Sequence, residues 1–179
     1  SKFYEAGVAN FQQIKYLYRD FTPINPWSLV LDLHSCKGFI KLSAEYIKKF
    51  NYNENIGLNV RFFAGKFLFS ATENYGNYNY RLTGNTGSQD YFYDHLFVGR
   101  TEDIRQNPQN LWAHQFVRND GGFTLYSPLG QTDNWLFAIN LDTETPLKIL
   151  NPYVNLGAFP NAIESSTEIP VSYTHLRAH

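Results

Sequence analysis

Apolar and polar side chains alternate one for one through segment after segment of this chain. In residues 39–46, Ile40, Leu42, Ala44 and Tyr46 fall on one side of an extended backbone. Lys41, Ser43 and Glu45 fall on the other. Successive strand side chains point to opposite faces, so this pattern predicts a sheet with one apolar and one polar face. A helix would scatter the same residues around its circumference. What covers the apolar face then decides the function. It is either a second sheet, as in a sandwich, or lipid, as in an outer-membrane barrel.

The same period recurs along the chain. Residues 11–21 set Ile14, Tyr16 and Tyr18 against Lys15, Leu17 and Arg19, and Pro23 and Pro26 then break the ladder. Residues 27–35 resume with Trp27, Leu29, Leu31 and Leu33 opposite Ser28, Val30, Asp32 and His34. Cys36-Lys37-Gly38 is a tight connection, so 27–50 reads as a β-hairpin. NYNENIG, residues 51–57, reads as a turn-rich loop, and 58–70 as the next strand. Between 71 and 133 Gly, Asn and Asp punctuate the chain, with strands expected at 78–83, 91–98, 111–118 and 122–126, or a short helix or ordered loop in place of the middle ones. Regular alternation returns at 134–142, and 147–158 is the last clear strand. The fold class predicted is all-β, an antiparallel meander forming an outer-membrane-type barrel or part of one, with a β-sandwich as the alternative.

Composition fits that class. The 179 residues include 15 Phe, 13 Tyr and 3 Trp, an aromatic share of 17% that suits sheets better than helical bundles. A net charge of −1 provides no basic excess for nucleic-acid binding. One cysteine, Cys36, excludes an internal disulfide. No stretch approaches the ~18 apolar residues of a membrane helix. A mean hydropathy of −0.39 leaves a barrel open, because barrel strands show only half their residues to lipid. The chain contains no methionine, so it is expected to be a fragment or a processed form. Residues 1–170 are expected to be one all-β domain. VSYTHLRAH, residues 171–179, resembles the translated read-through of a sequencing adaptor and is expected to be a non-native tail.

Four phrases occur in order: GLNVRFFAGKFLF (57–69), DYFYDHLFVGR (90–100), QFVRNDGGF (115–123) and DNWLFAINLDTETPLKILNPYVNLGAF (133–159). Together they resemble the C-terminal β-rich, barrel-like region of gluzincin metallopeptidases of Bacteroidota, related to aminopeptidase N. The resemblance spans roughly residues 5–165. It implies a non-catalytic domain at the cell envelope, in the outer membrane, that anchors or presents an upstream zinc peptidase domain of the same chain. The implied partners are that domain and outer-membrane lipid. The family's zinc site rests on HExxH, whose two His bind Zn and whose Glu activates water. This chain has no HExxH, so zinc is expected only in the upstream domain and no cofactor in these residues. The alternative function is a soluble sandwich that binds carbohydrate or peptide.

Each candidate site also has a plainer role. Asp90, Tyr91, Tyr93, Asp94, His95 and Arg100 form the densest polar and aromatic cluster. Asp90 and Asp94 on one strand face could bind a cation or act as an acid/base pair. The plainer role is a salt bridge to Arg100 or Arg118 with tyrosine packing. Asn119-Asp120-Gly121-Gly122 could hold calcium, but Asp and Gly also supply an ordinary β-turn. His34 and His114 lack the spacing of a zinc ligand set. Tyr75, Tyr78, Tyr80, Tyr91 and Tyr93 could stack sugars or peptides, or serve as interfacial girdle and core. No catalytic residue is nominated.

Overall fold

The computed structural model describes residues 10–53, 56–71, 78–83, 120–123, 130–145, 150–160 and 168–178, with the backbone alone for 150, 151 and 168–178. The described residues contain nine strands: β1 (Gln12–Asp20), β2 (Trp27–Cys36), β3 (Phe39–Asn53), β4 (Ile56–Ser70), β5 (Tyr80–Arg81), β6 (Gln131–Thr132), β7 (Trp135–Glu144), β8 (Leu150–Pro160) and β9 (Glu168–Ala178). Seven of them form one antiparallel sheet in the order β1-β2-β3-β4-β7-β8-β9. Each strand pairs with its neighbour in sequence, except where the chain leaves the sheet after β4 and returns at β7. The described residues form the all-β, antiparallel arrangement read from alternation, as an open sheet. No helix occurs among the described residues.

Short connections fix the register. β2 and β3 are joined by Lys37-Gly38, and Leu33 pairs with Leu42 as the hairpin predicts. β3 pairs with β4 from Phe39–Ser70 to Asn53–Ile56, with irregularities at Ile40/Lys41 and Asn51/Asn53. Residues 51–57, read as a loop, are therefore mostly strand. The Asn-rich composition suggested a turn, but paired backbone groups on both sides carry the ladder nearly to its end. The extra residue at the first irregularity lets Leu68 and Phe69 both stand exposed, as a bulge does. β9 contains residues 171–178, read above as a non-native tail. A read-through peptide can add to an open sheet edge as a native strand does. Among the described residues, β1 and β9 are not paired with each other, so the sheet is open.

Pairing partners share a face, so the alternation resolves into rows across the sheet. One face carries Tyr18, Leu29, Tyr46, Phe62, Ile139 and Leu156 in a single row. The next row is Tyr16, Leu31, Ala44, Ala64, Phe137 and Ala158. The opposite face carries Asp32, Lys41, Glu45, Arg61, Asn140 and Asn155. The polar face is the buried one. Lys41 and Arg61 are 5% and 4% exposed, while their neighbours Leu42 and Phe62 are 42% and 38% exposed.

The 71–134 connection causes this inversion. Its described stretches, 78–83, 120–123 and 130–132, lie on the polar face. β5 pairs with β6 in a second, two-stranded sheet, and Thr83 bridges Phe123. Tyr80, Leu82 and Phe123 pack with Phe39, Phe63, Phe67, Leu136, Ala138 and Phe159 to form the core. The core therefore lies between the polar face and the connection. Among the described residues, no second sheet covers the apolar face.

Candidate functional site

The cluster expected at Asp90, Tyr91, Tyr93, Asp94, His95 and Arg100 lies outside the described residues, as do Tyr75, His114 and Arg118. The structure instead brings together a polar seam on the sheet's inner face. Arg61 projects from the middle of β4. Its Nε donates to Glu45 of β3. Its Nη1 donates to Asn140 Oδ1 of β7 at 2.8 Å, and its Nη2 to the Asp120 carbonyl at 2.6 Å. Asn140 Nδ2 donates in turn to the Gly121 carbonyl at 3.0 Å and to Asn155 Oδ1 of β8 at 2.9 Å. The Arg61 guanidinium thus ties β3, β4 and β7 to residue 120, and the Asn140 amide extends the seam to Gly121 and to β8. A planar guanidinium offers five donors in a fixed fork, so one side chain can satisfy several acceptors at once.

The turn shows why these residues are needed. Asp120 has φ 44° and Gly122 φ 65°, both in the left-handed region. A Cβ at position 122 would come 2.6 Å from Arg61 Nη1, so only glycine fits there. The Asp120 carboxylate accepts from the Arg81 backbone N–H at 3.2 Å. Asp120 and Gly121 are turn residues, as one of the two sequence readings had it. Burial pushes the Asp120 carboxyl above its ordinary value, although Lys41, the Arg81 backbone N–H and Arg61 pull it down.

Lys41 forms a second tie. Its Nζ lies 4.9 Å from the Tyr80 ring centroid and 5.9 Å from those of Phe39 and Phe67. It donates to the Tyr78 carbonyl at 3.2 Å. A cation over aromatic faces, away from water, gains from the ring quadrupoles. Burial nevertheless lowers the Lys41 pKa, against the pull of Asp120 and Asp32. Tyr80 completes the arrangement by donating its hydroxyl to the Leu42 carbonyl at 2.9 Å. Burial drives the Tyr80 pKa well upward, so the hydroxyl stays protonated. Tyr78 and Tyr80 thus pack inside, in the core role, rather than standing clear for a ligand.

Nearer the sheet edge, Asp32 pairs with His34 at 3.0 Å and accepts from Gln13 Nε2 at 2.9 and 3.1 Å. Burial raises the Asp32 carboxyl, but the hydrogen bond and charge of His34, with Gln13 and Lys15, outweigh it and leave the pKa below its ordinary value. Cys36 is a free thiol packed against the rim of the core. Among the described residues, no three His, Cys, Asp or Glu side chains converge as a metal site would require.

The outer face has its own geometry. Tyr18, Trp27, Tyr46 and Phe62 form a line of rings across four strands, with centroid separations of 4.9, 5.7 and 6.3 Å. Alternation alone puts Lys41 and Glu45 on one face of β3, and strand pairing sets Asp32 and Arg61 on the same side. Sequence reasoning missed that Asn140 and Asn155 join them, because their partners come from strands far away in sequence. The available signal was that both Asn fall on the polar half of the alternation. No family model matches this chain, and neither a curated protein nor a solved structure matches it.

Proposed function

We propose that this chain is part of the wall of an outer-membrane-type β-barrel, and that it anchors a zinc peptidase domain of the same chain at the cell envelope. The observation that carries the membrane half is the inversion of the two faces. Among the described residues the apolar face has no second layer over it and the polar face is packed inward, as a lipid-facing sheet requires. A soluble sandwich buries its apolar face between two sheets, but here the small second sheet lies on the polar side.

Strand length supports the same reading. β1, β2, β7 and β8 are 9–11 residues long. A tilted membrane strand needs about 9–11 residues. β3 and β4, at 15 residues each, run ~50 Å at ~3.4 Å per residue, enough to cross at a tilt and extend beyond. The Tyr18–Trp27–Tyr46–Phe62 line fits an interfacial aromatic girdle. The edge of β1, and that of β8 where the read-through tail now pairs, are where further strands of a longer chain would pair.

The peptidase half rests on the sequence resemblance. It assigns these residues no chemistry, and the zinc ligands to HExxH and a later Glu upstream. Two experiments address the two halves. The purified chain, mixed with lipid vesicles, should float with them and resist alkaline carbonate extraction. A chain that stays monomeric in buffer without detergent and ignores vesicles would overturn the membrane half. The upstream coding sequence should carry HExxH followed by a Glu ligand, and its lack there would remove the peptidase half.

A further inference from the structure

The polar face of a barrel wall ordinarily meets water or a ligand. Here it meets the chain itself. The Arg61 guanidinium, the Asn140 amide and the Lys41 ammonium donate to the carbonyls of Asp120, Gly121 and Tyr78, all in the connection between β4 and β7. The Tyr80 hydroxyl returns a bond to Leu42 of β3. These donors would be hydrated in an open lumen, where a loop would gain little by binding them. They are buried because the connection also brings Tyr80, Leu82 and Phe123 into the core.

The sheet is shaped to receive it. A Cβ at Gly65 of β4 would lie 2.7 Å from the Tyr80 ring, and one at Gly157 of β8 would lie 2.4 Å from Leu82 Cδ2. Glycine inside a strand leaves a hollow where another segment can approach closely. Two such hollows, on β4 and β8, lie under two residues of the same short stretch. The contacts fall over β3, β4, β7 and β8, in the middle of the sheet, rather than at the ends of strands.

We propose that the stretches 78–83, 120–123 and 130–132 between β4 and β7 act as a resident plug, clamped to the polar face by Arg61 and Lys41, which makes this sheet a sealed anchor rather than the wall of an open pore. The inference rests on the membrane reading above, since only a sheet that faces lipid on its other side has a lumen to seal. Protein that fills a barrel interior removes the water path and rigidifies the wall. Paired polar groups with no water between them also fix a single seat, because any shift leaves buried donors unsatisfied.

Thiol accessibility in lipid vesicles tests it, in a Cys36→Ala background. One reporter is Ala138→Cys, on the polar face beneath the plug, where the native side chain is 0% exposed. The other is Leu42→Cys, on the apolar face. A water-soluble maleimide should leave the first unlabelled. Adding Tyr80→Ala or Arg61→Ala should raise its labelling rate about tenfold or more, as local opening replaces a closed segment. The second reporter should stay dark to the maleimide and open to a lipid-phase quencher throughout.

Labelling of Ala138→Cys in the parent at the rate of an exposed thiol would overturn the plug. So would unchanged protection in both variants. Water access at Leu42→Cys in the parent would instead overturn the membrane reading, whatever position 138 shows. If Arg61→Ala loses the position-42 pattern through misfolding, Tyr80→Ala, which alters the connection and not the sheet, decides alone.

Discussion

Neighbouring residues of β4 obey opposite rules. Arg61, Phe63, Gly65 and Phe67 are buried, and Phe62, Ala64, Lys66 and Leu68 are exposed. In a water-soluble sheet the guanidinium would be on the outside and Phe62 within. Here the inward face combines charge, amides and aromatic rings under a covering segment, while the outward face is mostly apolar and, among the described residues, has no second layer over it. Burial on this sheet therefore follows where the chain can supply hydrogen-bond partners. The inward face also holds the core side chains Phe63, Phe67 and Leu136, so its charged and amide groups are buried among apolar ones with their partners supplied.

The contrast is most sensitive at Arg61. Arg61→Ala leaves Glu45, Asn140 and the Asp120 carbonyl without their shared donor. A loss of ~3–5 kcal/mol is expected, the usual cost of removing one partner from a buried charged network. Urea titration in detergent micelles measures it. Phe62→Ala, one residue away, should cost far less, and a larger loss there would reverse the ranking of the faces.

On the outer face, Leu42→Arg should disfavour the vesicle-inserted fold by ~2–4 kcal/mol if the position lies near the bilayer midplane. The equilibrium between folded and urea-unfolded chain in vesicles gives the value. Little or no change would mean that Leu42 does not meet hydrocarbon.

Gly65→Ala tests how closely the covering segment sits. The new Cβ would press on the rigid Tyr80 ring, at 2.7 Å from its nearest carbon. An overpacking cost of ~1–3 kcal/mol is expected. Combined with Tyr80→Ala, which removes the ring, the penalty should largely vanish in a double-mutant cycle. Simple additivity of the two would show that the ring does not occupy that hollow.

The smallest effect concerns acid. The Asp32 carboxyl titrates below its ordinary value of 3.8 in the folded chain. A depressed folded pKa contributes stability that is present above about pH 4 and is lost as pH falls through the folded value. The stability gap between the parent and Asp32→Asn should therefore be steady near neutrality and close below about pH 4. A gap that instead widens toward acid would mean that His34 and Gln13 do not hold the carboxylate ionised.

The sheet was legible because its signals are local. Alternation and the two-residue Lys37-Gly38 connection need only near neighbours, and they yield β2, β3 and their pairing with β4. Strand ends were less legible. The Asn-rich stretch 51–57 has turn composition, yet cross-strand pairing holds most of it extended. The Arg61 seam was half legible. Alternation puts Glu45 and Arg61 on one face, but nothing in the sequence reveals that the 120–121 turn returns to cap them. That turn lies some sixty residues away along a connection with no regular period. Gly65 and Gly157 carry no sequence sign of what they make room for. The Asp90–Arg100 cluster falls outside the described residues.

The central claim is that the apolar face meets lipid and the polar face is sealed by protein. Spin labels placed singly along positions 61–68, in a Cys36→Ala background and in lipid vesicles, test it most directly. Collision with oxygen, which dissolves in lipid, should peak at 62, 64 and 68 and fall at 61, 63 and 67, with period two. Collision with a water-soluble nickel chelate should stay low at all of these positions. A profile without that period, or chelate access at 62 and 64, would contradict the account.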